Sequence, residues 1–178
     1  MKKKIIFIII MIILFPIIVN AKEGFQVENG KTYYYENNQK VNGFKIINEK
    51  LYFFSRVNYA LKTGWQNASE GVWYQNSNGE VLKGNQTINN KKYYFNENGI
   101  MQKGFITLDN KLYFYSRVNG ALKTGWQNAQ EGTWYQNNNG EVVIGKQRID
   151  GKNYYFNEKG ILYKGFVFVD NKLYFLVE

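Results

Sequence analysis

Eight times along this 178-residue chain a glycine is followed, nine and ten residues later, by two adjacent aromatic side chains. The glycines are Gly24, Gly43, Gly64, Gly84, Gly104, Gly125, Gly145 and Gly165. The pairs are Tyr33-Tyr34, Tyr52-Phe53, Trp73-Tyr74, Tyr93-Tyr94, Tyr113-Phe114, Trp134-Tyr135, Tyr154-Tyr155 and Tyr174-Phe175. Successive glycines stand 19 to 21 residues apart. A fixed period near twenty residues signals a stacked array of small units, each covered by its neighbours, not one globular core.

The first half of each unit reads as a β-hairpin. Gly104-Phe105-Ile106-Thr107-Leu108 and Lys111-Leu112-Tyr113-Phe114-Tyr115 are strand-like runs flanking Asp109-Asn110. Asn29-Gly30 and Asp150-Gly151 occupy the same place, with Asn89-Asn90 and Asp170-Asn171 as weaker versions. These residues tolerate the positive φ that a type I′ turn requires at both central positions. In Ala68-Ser69-Glu70-Gly71 and Ala129-Gln130-Glu131-Gly132 the turn is expected to differ in register or length.

The second half is a connector marked by Asn78-Gly79, Asn98-Gly99, Asn119-Gly120 and Asn139-Gly140, with Lys159-Gly160 a looser match. An apolar residue follows two positions on, at Val81, Met101, Leu122, Val142 and Leu162, and is expected to pack under the turn. No window keeps an apolar period of 3.6 residues, so no helix is expected after residue 21. A lone hairpin of this size is marginal in water, so the all-β array is expected to form a solenoid of hairpins stabilised by stacking on neighbours.

A longer period lies over the short one. Gly43 to Lys83 nearly repeats as Gly104 to Ile144, 61 residues or three units later. Duplication of a three-unit block explains it; so does a geometry in which every third hairpin faces the same way.

Lys2, Lys3 and Lys4 precede an apolar run from Ile5 to Val19, closed by Asn20-Ala21. This is the pattern of a secretory signal peptide cut after Ala21, leaving residues 22–178 as eight tandem repeats, the last one truncated. Without the three lysines the chain holds 20 basic and 14 acidic residues, a net charge of +6. That balance suits solubility and an anionic wall polymer equally. The basic residues are dispersed, which argues against nucleic acid as a partner. Once the leader is cut, no membrane association is expected. The chain has no cysteine, so packing alone must hold the exported repeats together.

Gly64-Trp65-Gln66 with Trp73-Tyr74, and the run Gly84 to Met101 (GNQTINNKKYYFNENGIM), resemble bacterial cell wall-binding repeats. That family includes choline-binding repeats of Gram-positive surface proteins, glucan-binding repeats and the C-terminal repeats of large clostridial toxins. The resemblance spans Gly24 to Glu178. It implies a superhelix with about three hairpins per turn. It also implies aromatic cages between consecutive hairpins, because a quaternary ammonium is held by cation–π attraction to ring faces.

Carried onto this chain, the resemblance points first to Trp65 and Trp73 completed by Tyr93 or Tyr94. It points next to Trp126 and Trp134 completed by Tyr154 or Tyr155. Phe44 with Tyr52 and Phe105 with Tyr113 would form weaker cages. Asn85 and Lys146 stand where the family carries an aromatic residue, and a lysine there would repel a cation.

The chain has no histidine and no cysteine, which removes the commonest general base and metal ligand and the thiol nucleophile. No enzyme, cofactor or metal site is expected. The expected protein is secreted and cell wall-associated, attached to choline-decorated teichoic acid or a related wall polymer. A glucan- or host-glycan-binding module is the alternative, since ring faces also stack on sugars. A structural surface spacer, dimerising through the last hairpin, is the third.

Overall fold

The computed structural model describes residues 21–169 and 172–176. The signal peptide reading, residues 1–21, falls almost wholly outside them. Among the described residues there is no helix, and the chain is a series of eight antiparallel hairpins. The first pairs Gly24–Glu28 with Lys31–Glu36, and Gln39–Lys40 adds a short third strand. The next three pair Gly43–Ile47 with Lys50–Phe54, Gly64–Ala68 with Gly71–Gln75, and Gly84–Ile88 with Lys91–Phe95. The fifth to seventh pair Gly104–Leu108 with Lys111–Tyr115, Gly125–Ala129 with Gly132–Gln136, and Gly145–Ile149 with Lys152–Phe156. The eighth pairs Gly165–Val169 with Lys172–Leu176.

Among the described residues six two-residue turns carry positive φ at both central residues, among them Asn29-Gly30 (49° and 72°) and Asp109-Asn110 (48° and 62°). That is the twist a tight two-residue hairpin needs. The third and sixth hairpins depart from the expectation stated for them. Their register and loop length are unchanged, since Ala68 pairs directly with Gly71 and Ala129 with Gly132. What differs is the backbone: positive φ moves to the residue after the loop, Gly71 at 124° and Gly132 at 125°. Ser69-Glu70 and Gln130-Glu131 lack the Asn or Gly that makes left-handed conformations cheap.

Each connector is organised by a polar side chain. Asn76 Oδ1 accepts the backbone N–H groups of Asn78 (3.0 Å) and Glu80 (2.9 Å). Asn96, Asn137 and Asn157 do the same in their repeats. The connector then reaches back to the preceding hairpin: Val81 N–H donates to Leu51 O, Met101 to Val72 O and Val142 to Leu112 O, each at 2.7 Å.

The apolar residue after each turn does not sit under its own turn, as the sequence suggested, but under the glycine of the next connector. A Cβ built on Gly79, Gly99, Gly120, Gly140 or Gly160 would collide with Leu61, Val81, Met101, Leu122 or Val142 respectively. From Gly79 onward the connectors thus form a ladder whose rungs use a glycine for its positive φ and for the space, whereas the second connector holds Tyr59 at φ 62° in the same place.

Charged side chains cover the first hairpin. Glu28 accepts from Lys22 Nζ (2.5 Å), Lys40 Nζ (2.8 Å) and Tyr35 OH (2.8 Å). Those donors, Lys22 first, lower its pKa to about 2.

Two tests follow from this packing. Gly99→Ala, which meets Val81 and the Leu82 carbonyl, should destabilise by about 2–4 kcal/mol. Gly84→Ala, with no atom in reach of the new methyl, should cost only the backbone strain of about 1–2 kcal/mol. Urea denaturation followed by circular dichroism ranks them. Glu28, with its pKa depressed in the fold, adds stability that is present above about pH 4.5 and lost as pH falls through about 2. Amide NMR signals of residues 24–40 should therefore broaden over that window, and Glu28→Gln should remove the dependence.

Candidate functional site

In a strand, neighbouring side chains point to opposite faces, so the two members of each aromatic pair cannot serve the same side of a hairpin. The register makes this concrete. Trp65 lies directly across from Tyr74, and Trp73 across from Gln66. One face, carrying Trp65 and Tyr74, looks forward to the next hairpin. The other, carrying Trp73 and Gln75, looks back.

Every junction between hairpins is therefore built from four positions: the residue after the repeat glycine, its cross-strand neighbour, and two alternate residues on the second strand of the next hairpin. Three junctions fill all four with rings. Trp65 lies 5.1 Å from Tyr74, 4.9 Å from Tyr93 and 6.0 Å from Phe95, centroid to centroid. Trp126 repeats this with Tyr135 (5.2 Å), Tyr154 (4.8 Å) and Phe156 (5.9 Å). Phe25 does so with Tyr34 (4.9 Å), Tyr52 (5.4 Å) and Phe54 (6.3 Å). The first ring of each stays open to solvent: Phe25 is 44% exposed, Trp65 40% and Trp126 38%. A cavity of about 410 Å³ opens beside Trp65 and Tyr93.

Two junctions are sealed around their indole, with a cavity of about 470 Å³ lying against Phe44 in the first of them. Phe44, Phe53 and Trp73 pack within 5.0 Å of one another, as do Phe105, Phe114 and Trp134. Trp73 and Trp134 are each 1% exposed. Beside them the fourth ring is replaced by a buried glutamine. Gln75 accepts from Trp73 Nε1 (3.3 Å) and donates to the carbonyls of Phe53 (3.2 Å) and Gly79 (2.8 Å). Gln136 repeats the arrangement. Its burial is tolerable because both ends of the amide are used.

The remaining junctions are polar. At Asn85, Tyr115 OH donates to the Asn85 side chain (3.2 Å) and Tyr94 lies 6.3 Å from Tyr115. Burial, then the neighbouring Tyr113 and Tyr94, pushes the Tyr115 phenol up to about 12. At Lys146 the chain supplies its own cation, with Nζ 5.8 Å from the Tyr155 ring. The first hairpin shows the same chemistry at closer range: Lys40 Nζ sits 3.4 Å from the centroid of the Tyr33 ring. Ring faces in this chain already attract ammonium groups.

The residues singled out from the sequence are thus divided. Trp65 meets Tyr93 and Trp126 meets Tyr154, while Tyr94 and Tyr155 belong to the next junction along. Trp73 and Trp134 do not join Trp65 and Trp126; they are interior rings of the sealed junctions. Phe44 and Tyr52 are also separated, Tyr52 lying against Phe25, and Phe105 stacks on Phe114 and Trp134 rather than Tyr113. Sequence reasoning missed Tyr74 and Tyr135, the cross-strand partners. Counting outward from the two-residue turns would have found them.

Comparison with known proteins places these junctions in context. A choline-binding repeat profile matches residues 82–125, and a cell wall binding repeat profile matches residues 147–162. CbpJ from Streptococcus pneumoniae TIGR4 superposes with a TM-score of 0.74 at 25% identity, over 82% of this chain and 53% of its own. Choline binding protein F from Streptococcus pneumoniae gives 0.74 at 27% identity over the same shares. That protein has also been solved in the presence of a peptidoglycan analogue and in complex with ipratropium. The chain spans about half the length of these two structures. No curated protein sequence matches it.

The two classes of tryptophan should separate in stability. Complete burial of an indole removes roughly 200 Å² from water, on the order of 5 kcal/mol. Trp73→Ala should therefore destabilise by about 3–5 kcal/mol, and Trp65→Ala by about half of that or less. Parallel urea titrations of the two variants measure the difference.

Proposed function

The chain is built from repeats of the choline-binding, cell wall-binding family, and on that premise we propose that it is a secreted, non-catalytic protein that attaches to a choline-decorated wall polymer. The three solvent-open ring junctions at Phe25, Trp65 and Trp126 carry this reading. A trimethylammonium group has no N–H to donate, so hydrogen-bonding side chains cannot hold it, whereas converging ring faces can. Ring contacts of about 0.5–2 kcal/mol each, less the cost of ordering the ligand, put one junction near a millimolar Kd. A polymer bearing many choline groups could engage several junctions at once and bind far more tightly than one.

The array is read as a superhelix of about three hairpins per turn. The 61-residue repeat supports this, and so does the cavity at Trp65, which reaches Val118 and Asn119 beyond the fifth hairpin. Residues 1–21 serve as the export signal, and the mature chain stays at the wall. A catalytic role is not assigned, because histidine and cysteine are absent from the sequence. The exposed Phe168 and Leu173 of the eighth hairpin suit a second copy of the chain.

One observation favours a glycan as a second ligand. The Asn85 junction opens a cavity of about 300 Å³ lined by Asn85, Gln86, Thr87, Lys92, Tyr113 and Tyr115. Amides, a hydroxyl and a tyrosine ring together suit a sugar.

Residues 22–178 should be retained on a choline-type resin and eluted by free choline. Choline should also change tryptophan fluorescence, with a midpoint of about 1 mM. Trp65→Ala with Trp126→Ala should cut retention sharply; unchanged retention by the folded double variant would sink the cage reading.

A further inference from the structure

The cavity beside Trp65 has a second chemical character. Its lining brings the aromatic residues Trp65 and Tyr93 together with Lys103, Val118 and Asn119. Lys103 Nζ donates to the Val118 carbonyl (3.3 Å), which fixes the ammonium at the rim of this cavity. Asn119 uses its Oδ1 to accept the Ala121 N–H (3.1 Å), which leaves its amide N–H groups as the unused half of that side chain. No aspartate or glutamate is among the described residues that line it.

A cage for a bare cation would be better served by a carboxylate than by a lysine. The contrast lies one junction earlier. The cavity of about 470 Å³ against Phe44 has a lysine in the corresponding place, Lys83, but also Glu70 and Glu97, and its indole, Trp73, is buried. Rings with a cation and no acid point to a ligand that brings both charges.

We infer that Lys103 is a specificity-determining residue of the Trp65 site, forming an anionic subsite that selects a phosphate ester of choline over free choline. The inference rests on the cage reading of that site. The rings take the trimethylammonium end, and Lys103, with the Asn119 amide, takes the phosphodiester a few atoms away. A phosphate oxygen offers a charge-assisted acceptor, while free choline offers only its own positive charge. The sequence repeats the pairing once: Trp126 and Lys164 lie 61 residues beyond Trp65 and Lys103.

The test uses Trp126→Ala in residues 22–178, so that Trp65 is the sole solvent-open tryptophan. Choline and glycerophosphocholine, whose phosphodiester stays singly charged, are titrated by tryptophan fluorescence at low and high salt. Glycerophosphocholine should bind about three- to tenfold more tightly at low salt, the advantage shrinking at high salt. Lys103→Gln should bring the ratio near one, with choline itself binding somewhat better, and Lys103→Arg should keep the preference. Equal affinities in the parent, or a ratio untouched by Lys103→Gln, overturn the anionic subsite while leaving the cage intact. Failure of both ligands to bind overturns the cage reading and this inference with it.

Discussion

A hairpin of about a dozen residues cannot bury the rings it carries, and the rest of this structure depends on where their cover comes from. Each hairpin has a forward face and a backward face, and both are aromatic in most repeats. The only surfaces that can cover them are the opposing faces of the hairpins before and after. Stability is therefore a property of junctions. The connectors obey the same rule at smaller scale: a leucine, valine or methionine of one rung occupies the space left by the missing side chain of the next rung's glycine.

The junctions are equivalent in geometry and different in chemistry. Where a glutamine joins an indole in the backward position, as with Gln75 and Trp73, the larger ring and the fully used amide close the junction. Where that position holds Tyr93 or Tyr154 with a phenylalanine, the forward indole stays partly in water. Where asparagine or lysine replaces the forward ring, the junction turns polar. One scaffold thus holds both closed junctions and junctions that leave a ring face in water. Lys40 over Tyr33 shows what such a face attracts when the chain supplies the cation.

Much of this was legible in advance. The glycine period, the Asn-Gly and Asp-Gly turns and the lack of any helical period lead to an array of hairpins. The pairing of Trp65 with Trp73 failed for a reason of parity. Residues separated by an even number within one strand share a face, but these two lie on different strands, and only the register across Ser69-Glu70 relates them. Across that turn Trp65 opposes Tyr74, so Trp73 must face the other way. The Phe44 and Tyr52 pairing failed identically. The turns of the third and sixth hairpins kept their length because Gly71 and Gly132 absorb the strain just outside the loop.

The sequence by itself determined the repeat, the hairpin, the turn positions and the residue types at each junction, because these follow from local φ preferences and from a period written into the chain. It did not determine which rings are interior and which face water. That depends on contacts between residues about twenty to thirty positions apart, such as Trp65 with Tyr93 or Phe44 with Trp73. Burial is a property of neighbours, and only stacking one hairpin on the next decides whether an indole becomes core, as Trp73 does, or an open wall, as Trp65 does.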